Sequence, residues 1–204
     1  MFKKPVIVFE GIEGSGKSYH INTVSKFLKQ KKISFLKIRE PGGNKNSEKI
    51  RNFLLNNQST FNKKTDLLMY LAARSENIIK LKSNYKKRII LIDRFTDSTI
   101  AYQHYGFKID INLINTLNNF IVDDFKVDFT FFNIVNEKNM LSRLKKRKKL
   151  NRYDKFNKNF YKRVQKGFLK LYKKKKNKSL IINSNLSIEE NRIRIIEKVQ
   201  KLIK

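Results

Sequence analysis

Eight consecutive residues, Gly11-Ile12-Glu13-Gly14-Ser15-Gly16-Lys17-Ser18, constrain this chain more than any other part of it. They fit the pattern G-x-x-x-x-G-K-[ST]. They lie between a short apolar run, Pro5 to Glu10, and a segment in which Ile21, Val24, Phe27 and Leu28 recur at helical spacing. A buried strand that stops at a glycine turn opening into a helix makes a phosphate cradle. The glycines let successive backbone N–H groups converge on phosphate oxygens, and the helix N-terminus adds its positive dipole. Lys17 reaches the β- and γ-phosphates of a nucleotide, and Ser18 is placed to ligate Mg2+. A glycine-rich turn with an incidental Lys-Ser would leave the flanking strand and helix unexplained. The cradle points to nucleotide binding and leaves the phosphoryl acceptor open, since GTPases, ATPases and kinases all share it.

The rest of the chain alternates in the same way. Ile33–Ile38, Arg88–Asp93, Val127–Val135 and Ser179–Asn183 read as further strands. Helical patterns run through Ile50 to Leu54, from 64 to 85, over 98–105 and 111–122, around Met140 to Leu144, and through Phe160, Val164, Phe168 and Leu171. The last runs from Ile188 to Ile203, its start marked by Ser187 with Glu189 and Glu190. Strands alternating with helices predict an α/β fold of three layers, with helices on both faces of a five-stranded parallel sheet. At 204 residues, with no linker or repeat, the chain is expected to form one domain.

Charge and composition narrow the setting. Forty-seven Lys and Arg against 17 Asp and Glu give +30, which suggests a polyanion partner. The basic residues are spread along the chain, and no nucleic-acid-binding module signature is present. A compositional bias toward Lys, Asn and Ile is therefore preferred, and no specific nucleic-acid partner is expected. With no cysteine there is neither a disulfide nor a Cys-based zinc site, which fits a reducing, cytoplasmic location. No apolar run approaches the roughly 20 residues that span a bilayer, so no membrane association is expected.

Several residues stand where acceptor chemistry would need them. Glu13, an acid inside an anion cradle, either points away toward an acceptor hydroxyl or metal-bound water or is simply solvated. Arg39 ends the second strand, at the sheet edge where ligands bind in open α/β folds. Tyr70, Arg74 and Asn77 fall at i, i+4 and i+7, on one helix face that could read a base or pack in the core. Asp93 ends an apolar strand where a carboxylate meets the Mg2+ shell.

Five segments taken together resemble the bacterial thymidylate kinases. They are Glu10 to Ser18, Arg39-Glu40-Pro41-Gly42-Gly43, Leu67 to Arg74, Asp93-Arg94 through Tyr102-Gln103, and Arg143 to Asp154. The resemblance implies a P-loop NTPase fold and a transferase that passes the ATP γ-phosphoryl group to dTMP with Mg2+, giving dTDP. It also implies a homodimer and a lid over about 143–156. By that resemblance Glu13 contacts the deoxyribose 3′-hydroxyl region, and Arg39 with Pro41 shapes the monophosphate site. Tyr70 stacks on thymine, Arg74 bonds the base carbonyl, and Arg94 bridges the two phosphates. Ser98, Thr99, Tyr102 and Gln103 complete acceptor recognition. The cradle carries no arginine, so the lid must supply the catalytic cation. Arg147 and Arg152 are the candidates, with Arg143, one helical turn before Arg147, on ATP. The chain departs from the family pattern at Tyr70, Glu76, Phe95, Asn151 and Asp154. Two rivals are a P-loop kinase for another nucleoside monophosphate or deoxynucleoside, and a basic nucleic-acid-binding P-loop ATPase.

Overall fold

The computed structural model describes residues 3–204. Five parallel strands form one sheet in the order β2-β3-β1-β4-β5: β1 Val6–Gly11, β2 Phe35–Arg39, β3 Ile89–Asp93, β4 Phe129–Ile134 and β5 Ser179–Asn183. The central strand is buried along its whole length, and Val6, Ile7, Val8 and Phe9 feed apolar side chains to both faces. That is why β1 and β3 read as unbroken β-branched runs without alternation. One face packs Ile7, Phe9 and Leu91 against α1 (Lys17–Gln30) and α8 (Ile188–Ile203). The other packs Val8, Ile90 and Ile92 beneath α3 (Lys63–Asn84) and α5 (Ile111–Val122). α2 (Lys45–Leu55), α6 (Glu137–Lys145) and α7 (Lys158–Lys174) complete the layers. The expected three-layer α/β arrangement is the one observed.

Register sets the functional edge. Arg39 pairs with Asp93, Phe9 with Asp93 and Gly11 with Asn133, so the carboxyl ends of four strands finish side by side. Three departures from the sequence reading have local causes. β2 starts at Phe35 because Ile33 N–H closes the end of α1 on the Leu28 carbonyl at 2.9 Å, after Lys32 turns left-handed at φ 54°. The segment after β3 begins as α4 (Thr96–Thr99) but widens to a π-helix over Ile100–Gly106, which hydrophobic spacing does not distinguish from α. α6 ends at Lys145, so Arg147 leaves the helix and does not share its face with Arg143 as expected; a run of like charges from Lys145 to Lys149 disfavours continuing it.

Candidate active site

The cradle is built mainly from backbone. Gly11 has φ 144°, and a Cβ there would stand 2.3 Å from the Asn133 carbonyl, so β1 and β4 could not pair this closely with any other residue. Gly16, at φ 84°, opens α1. Ile12 roots the loop in the core beside Tyr102 and Phe132. Lys17 Nζ donates to the carbonyls of Gly11 (2.9 Å) and Ile12 (2.8 Å). Burial, with the Arg94 charge adding, pulls its pKa down to about 7, so an arriving anion stabilises its charged form.

Two cavities meet at this loop, and the walls of both include Lys17, Ser18 and Arg147. The cavity over the glycine loop adds Gly14, Gly16, Arg143, Ser184 and Asn191. Arg143 ties its edges together, donating to the Gly14 carbonyl at 2.9 Å and the Ser184 carbonyl at 2.7 Å. His20 also lines this side; burial, then the Arg143 charge, holds its pKa down at about 4, so the imidazole is neutral at pH 7.

The second cavity is built from side chains. At one end Arg39, Arg51 and Arg94 converge around Pro41. Arg51 donates to the Pro41 carbonyl at 2.7 Å, while Arg39 is half exposed and pairs with Glu48 at 3.0 Å. Burial, and after it the neighbouring Arg39 charge, lower the Arg51 pKa. Arg94 holds a left-handed backbone, φ 68°, a strained conformation for an arginine. Its guanidinium donates to the Gly11 carbonyl (2.8 Å) and Glu13 (2.8 Å) and lies 5.0 Å over the Tyr102 ring. Glu13 also accepts from the Tyr102 hydroxyl. Of the two readings left open for Glu13, the solvated one is excluded: the residue is 8% exposed and lines this cavity.

At the other end Tyr70, Arg74, Thr99 and Gln103 line the wall. Arg74 forms a buried ion pair with Glu40 at 2.8 Å, donates to Thr99 (2.9 Å) and Asn118 (2.6 Å), and sits 5.0 Å over Phe95. Its Nη2 makes no hydrogen bond among the described residues. Burial raises the Glu40 pKa, and Arg74 opposes that shift. Gln103 Oε1 is buried without a partner among the described residues. Ser98 lines the cavity, but its hydroxyl is committed to Glu10.

Asp93 Oδ2 accepts from Ser18 Oγ at 3.3 Å, and Oδ1 is buried with no hydrogen-bond partner among the described residues. A hydroxyl and an unsatisfied carboxylate oxygen at the mouth of a phosphate cradle suit Mg2+, a hard ion that takes oxygen ligands and keeps several waters.

The lid candidates separate. Arg147 lines both cavities and pairs with buried Asp154. Arg152 lines neither; its guanidinium is taken by Asp66 and lies against Phe61 and Tyr153. The Asn151 and Asp154 departures serve local structure, because the two residues form a capping box around the turn Arg152–Lys155.

Glu10, Glu40, Arg51, Asn118 and Tyr153 were not singled out from sequence. For Arg51 a signal was present in its spacing, four residues after Ser47 on the helix that follows Pro41-Gly42-Gly43; in the structure both residues bond the Pro41-Gly42 backbone. Glu10 is fully buried, accepts from the Phe95 and Ser98 amides, and has its pKa pushed up to about 7 by burial and then the Asp97 charge. Nothing local marks it.

Comparison with known proteins places this geometry. A family model described as Thymidylate kinase matches residues 9–195. A thymidylate kinase of Thermosipho africanus is 40% identical over 185 residues, covering 90% of this chain and 91% of that protein. One from Clostridium novyi is 31% identical over 209 residues and covers 100% of both. The solved structure of thymidylate kinase from Ehrlichia chaffeensis superposes with a TM-score of 0.77 at 31% identity, covering 97% of this chain and 98% of that one.

Proposed function

The chain belongs to the thymidylate kinase family, and from that premise we propose that it transfers the γ-phosphoryl group of ATP to dTMP, yielding dTDP and ADP. The observation that carries the reading is the junction of two cavities at Lys17, Ser18 and Arg147, one walled by the phosphate cradle and the other by three converging arginines and a polar slot. The acceptor is a phosphate oxygen, already anionic, so no strong base is needed; positioning and charge neutralisation carry the rate.

In this reading the loop amides and Lys17 hold the donor phosphates, and Arg39, Arg51 and Arg94 hold the acceptor phosphate. Arg147 neutralises charge between them. Glu13, aimed by Arg94 and Tyr102, faces the sugar hydroxyl. Tyr70 supplies a flat surface for the base, and Arg74 Nη2, Thr99 and Gln103 Oε1 supply polar contacts at its edge. Ser18 and Asp93 would hold Mg2+, which when bound withdraws charge from the transferring phosphoryl group. Arg143 braces the donor side. Arg152 is assigned to fastening the lid over about 143–156.

The reading also treats residues 1–204 as one unit working in the cytoplasm as a homodimer. Support for the dimer comes from large apolar side chains left exposed on α3 and α5, where Ile79 is 71% and Phe120 83% exposed and Leu68 and Leu113 are exposed as well. A sedimentation mass of one chain would remove it. The direct test of the reaction is incubation with ATP, Mg2+ and dTMP: dTDP and ADP are expected in equal amounts. ADP without dTDP would leave only an ATPase.

A further inference from the structure

The turn that carries Tyr153 and Asp154 is fastened from several directions. Asn151 and Asp154 close on each other, and the Tyr161 hydroxyl donates to the Tyr153 carbonyl. Asp66 receives both the Arg152 guanidinium and, at 3.0 Å, the Tyr153 hydroxyl. Asp66 is 2% exposed and belongs to α3. It stands one turn before Tyr70 and two before Arg74, so one row on a single rigid helix carries the turn's anchor and the two base-reading candidates.

The turn makes contact in two further directions. The Tyr153 ring meets Tyr70 edge-on at 5.7 Å and Tyr102 at 6.0 Å, and both of those rings line the acceptor cavity. The next residue, Asp154, turns a fully buried carboxylate to Arg147. Arg147 lies 81 residues from Asp66 in sequence and shares no direct bond with it among the described residues; Arg152 and Tyr153 reach Asp66, and Asp154, next in the turn, reaches Arg147.

We infer that Asp66 is a positioning residue for phosphoryl transfer: by holding Arg152 and Tyr153 it fixes the 152–155 turn, and through Asp154 it sets the place of Arg147 between donor and acceptor. The inference rests on the reading of Arg147 as the cation shared by both cavities. A purely structural Asp66, serving only the charge balance of the first turn of α3, would act independently of Arg147.

A double-mutant cycle separates the two. Asp66→Asn keeps the shape and removes the charge. It should lower kcat about 10-fold or more while KM for dTMP changes less than about 3-fold. In an Arg147→Ala background the same substitution should change kcat less than about 2-fold, because the group it positions is gone. Tyr153→Phe, which keeps both ring contacts, should show a smaller drop and the same loss of effect, and it decides the matter if Asp66→Asn does not fold. A folded Asp66→Asn with unchanged kcat, or a full-sized drop repeated in the Arg147→Ala background, overturns the inference alone. An Arg147→Ala enzyme with unchanged kcat overturns it together with the lid reading it rests on.

Discussion

The two cavities on either side of Lys17 are built by opposite means. The donor side is mostly main chain, glycines in conformations closed to other residues and a helix N-terminus, with Arg143 bonding only to carbonyls. The acceptor side is mostly side chains in buried pairs: Glu40 with Arg74, Glu13 with Arg94 and Tyr102, Glu10 with Ser98. A backbone site binds what any nucleotide offers, its phosphates, whereas a side-chain site selects. The division matches a donor half common to many enzymes and an acceptor half that distinguishes this family.

If that contrast is right, the acceptor side should break through its charges. Arg74→Ala would strand Glu40 in a buried, unpaired state and is expected to cost about 3–5 kcal/mol of stability by urea denaturation. Adding Glu40→Gln should recover part of the loss, because the two residues share one interaction. An Arg74→Ala protein of undiminished stability would mean that the pair is not what organises this wall.

The donor side should instead break through a single methyl group. Gly11→Ala pushes a Cβ against the Asn133 carbonyl and is expected to lower kcat/KM for ATP about 100-fold by displacing the loop. A near-normal Gly11→Ala enzyme would show that the cradle tolerates side chains and would erase the contrast between the two sides.

The same contrast explains what could be read in the sequence. Gly11 to Ser18 was legible because its partners are its own neighbours; strand, turn and helix follow one another within a few residues. The five strands and the extent of α8 followed from apolar spacing and from the Ser187 capping box, which the structure contains, whereas the order of the strands in the sheet did not, and Ile188 on α8 is exposed. On the acceptor wall, strand-end position marked Arg39 and helical spacing marked Tyr70 and Arg74, while the stretch from Ser98 to Gln103 was legible only through the family resemblance. Glu10 meets Ser98 at a separation of 88 residues, and Arg74 meets Asn118 at 44. No local pattern encodes such pairs, because the fold alone brings them together. Arg152 shows the converse: its position in a lid-like segment suggested chemistry, but Asp66, a residue far along the chain, takes its guanidinium.

The most direct measurement is acceptor preference. With ATP and Mg2+ held constant, kcat/KM is compared for dTMP, dUMP, dCMP, dGMP and AMP. A slot walled by Tyr70, Arg74, Thr99 and Gln103 predicts that dTMP exceeds dCMP, dGMP and AMP by about 100-fold or more, because a wrong base leaves those buried polar atoms unpaired. Turnover with AMP or dGMP matching that with dTMP, or none with dTMP, would contradict the account.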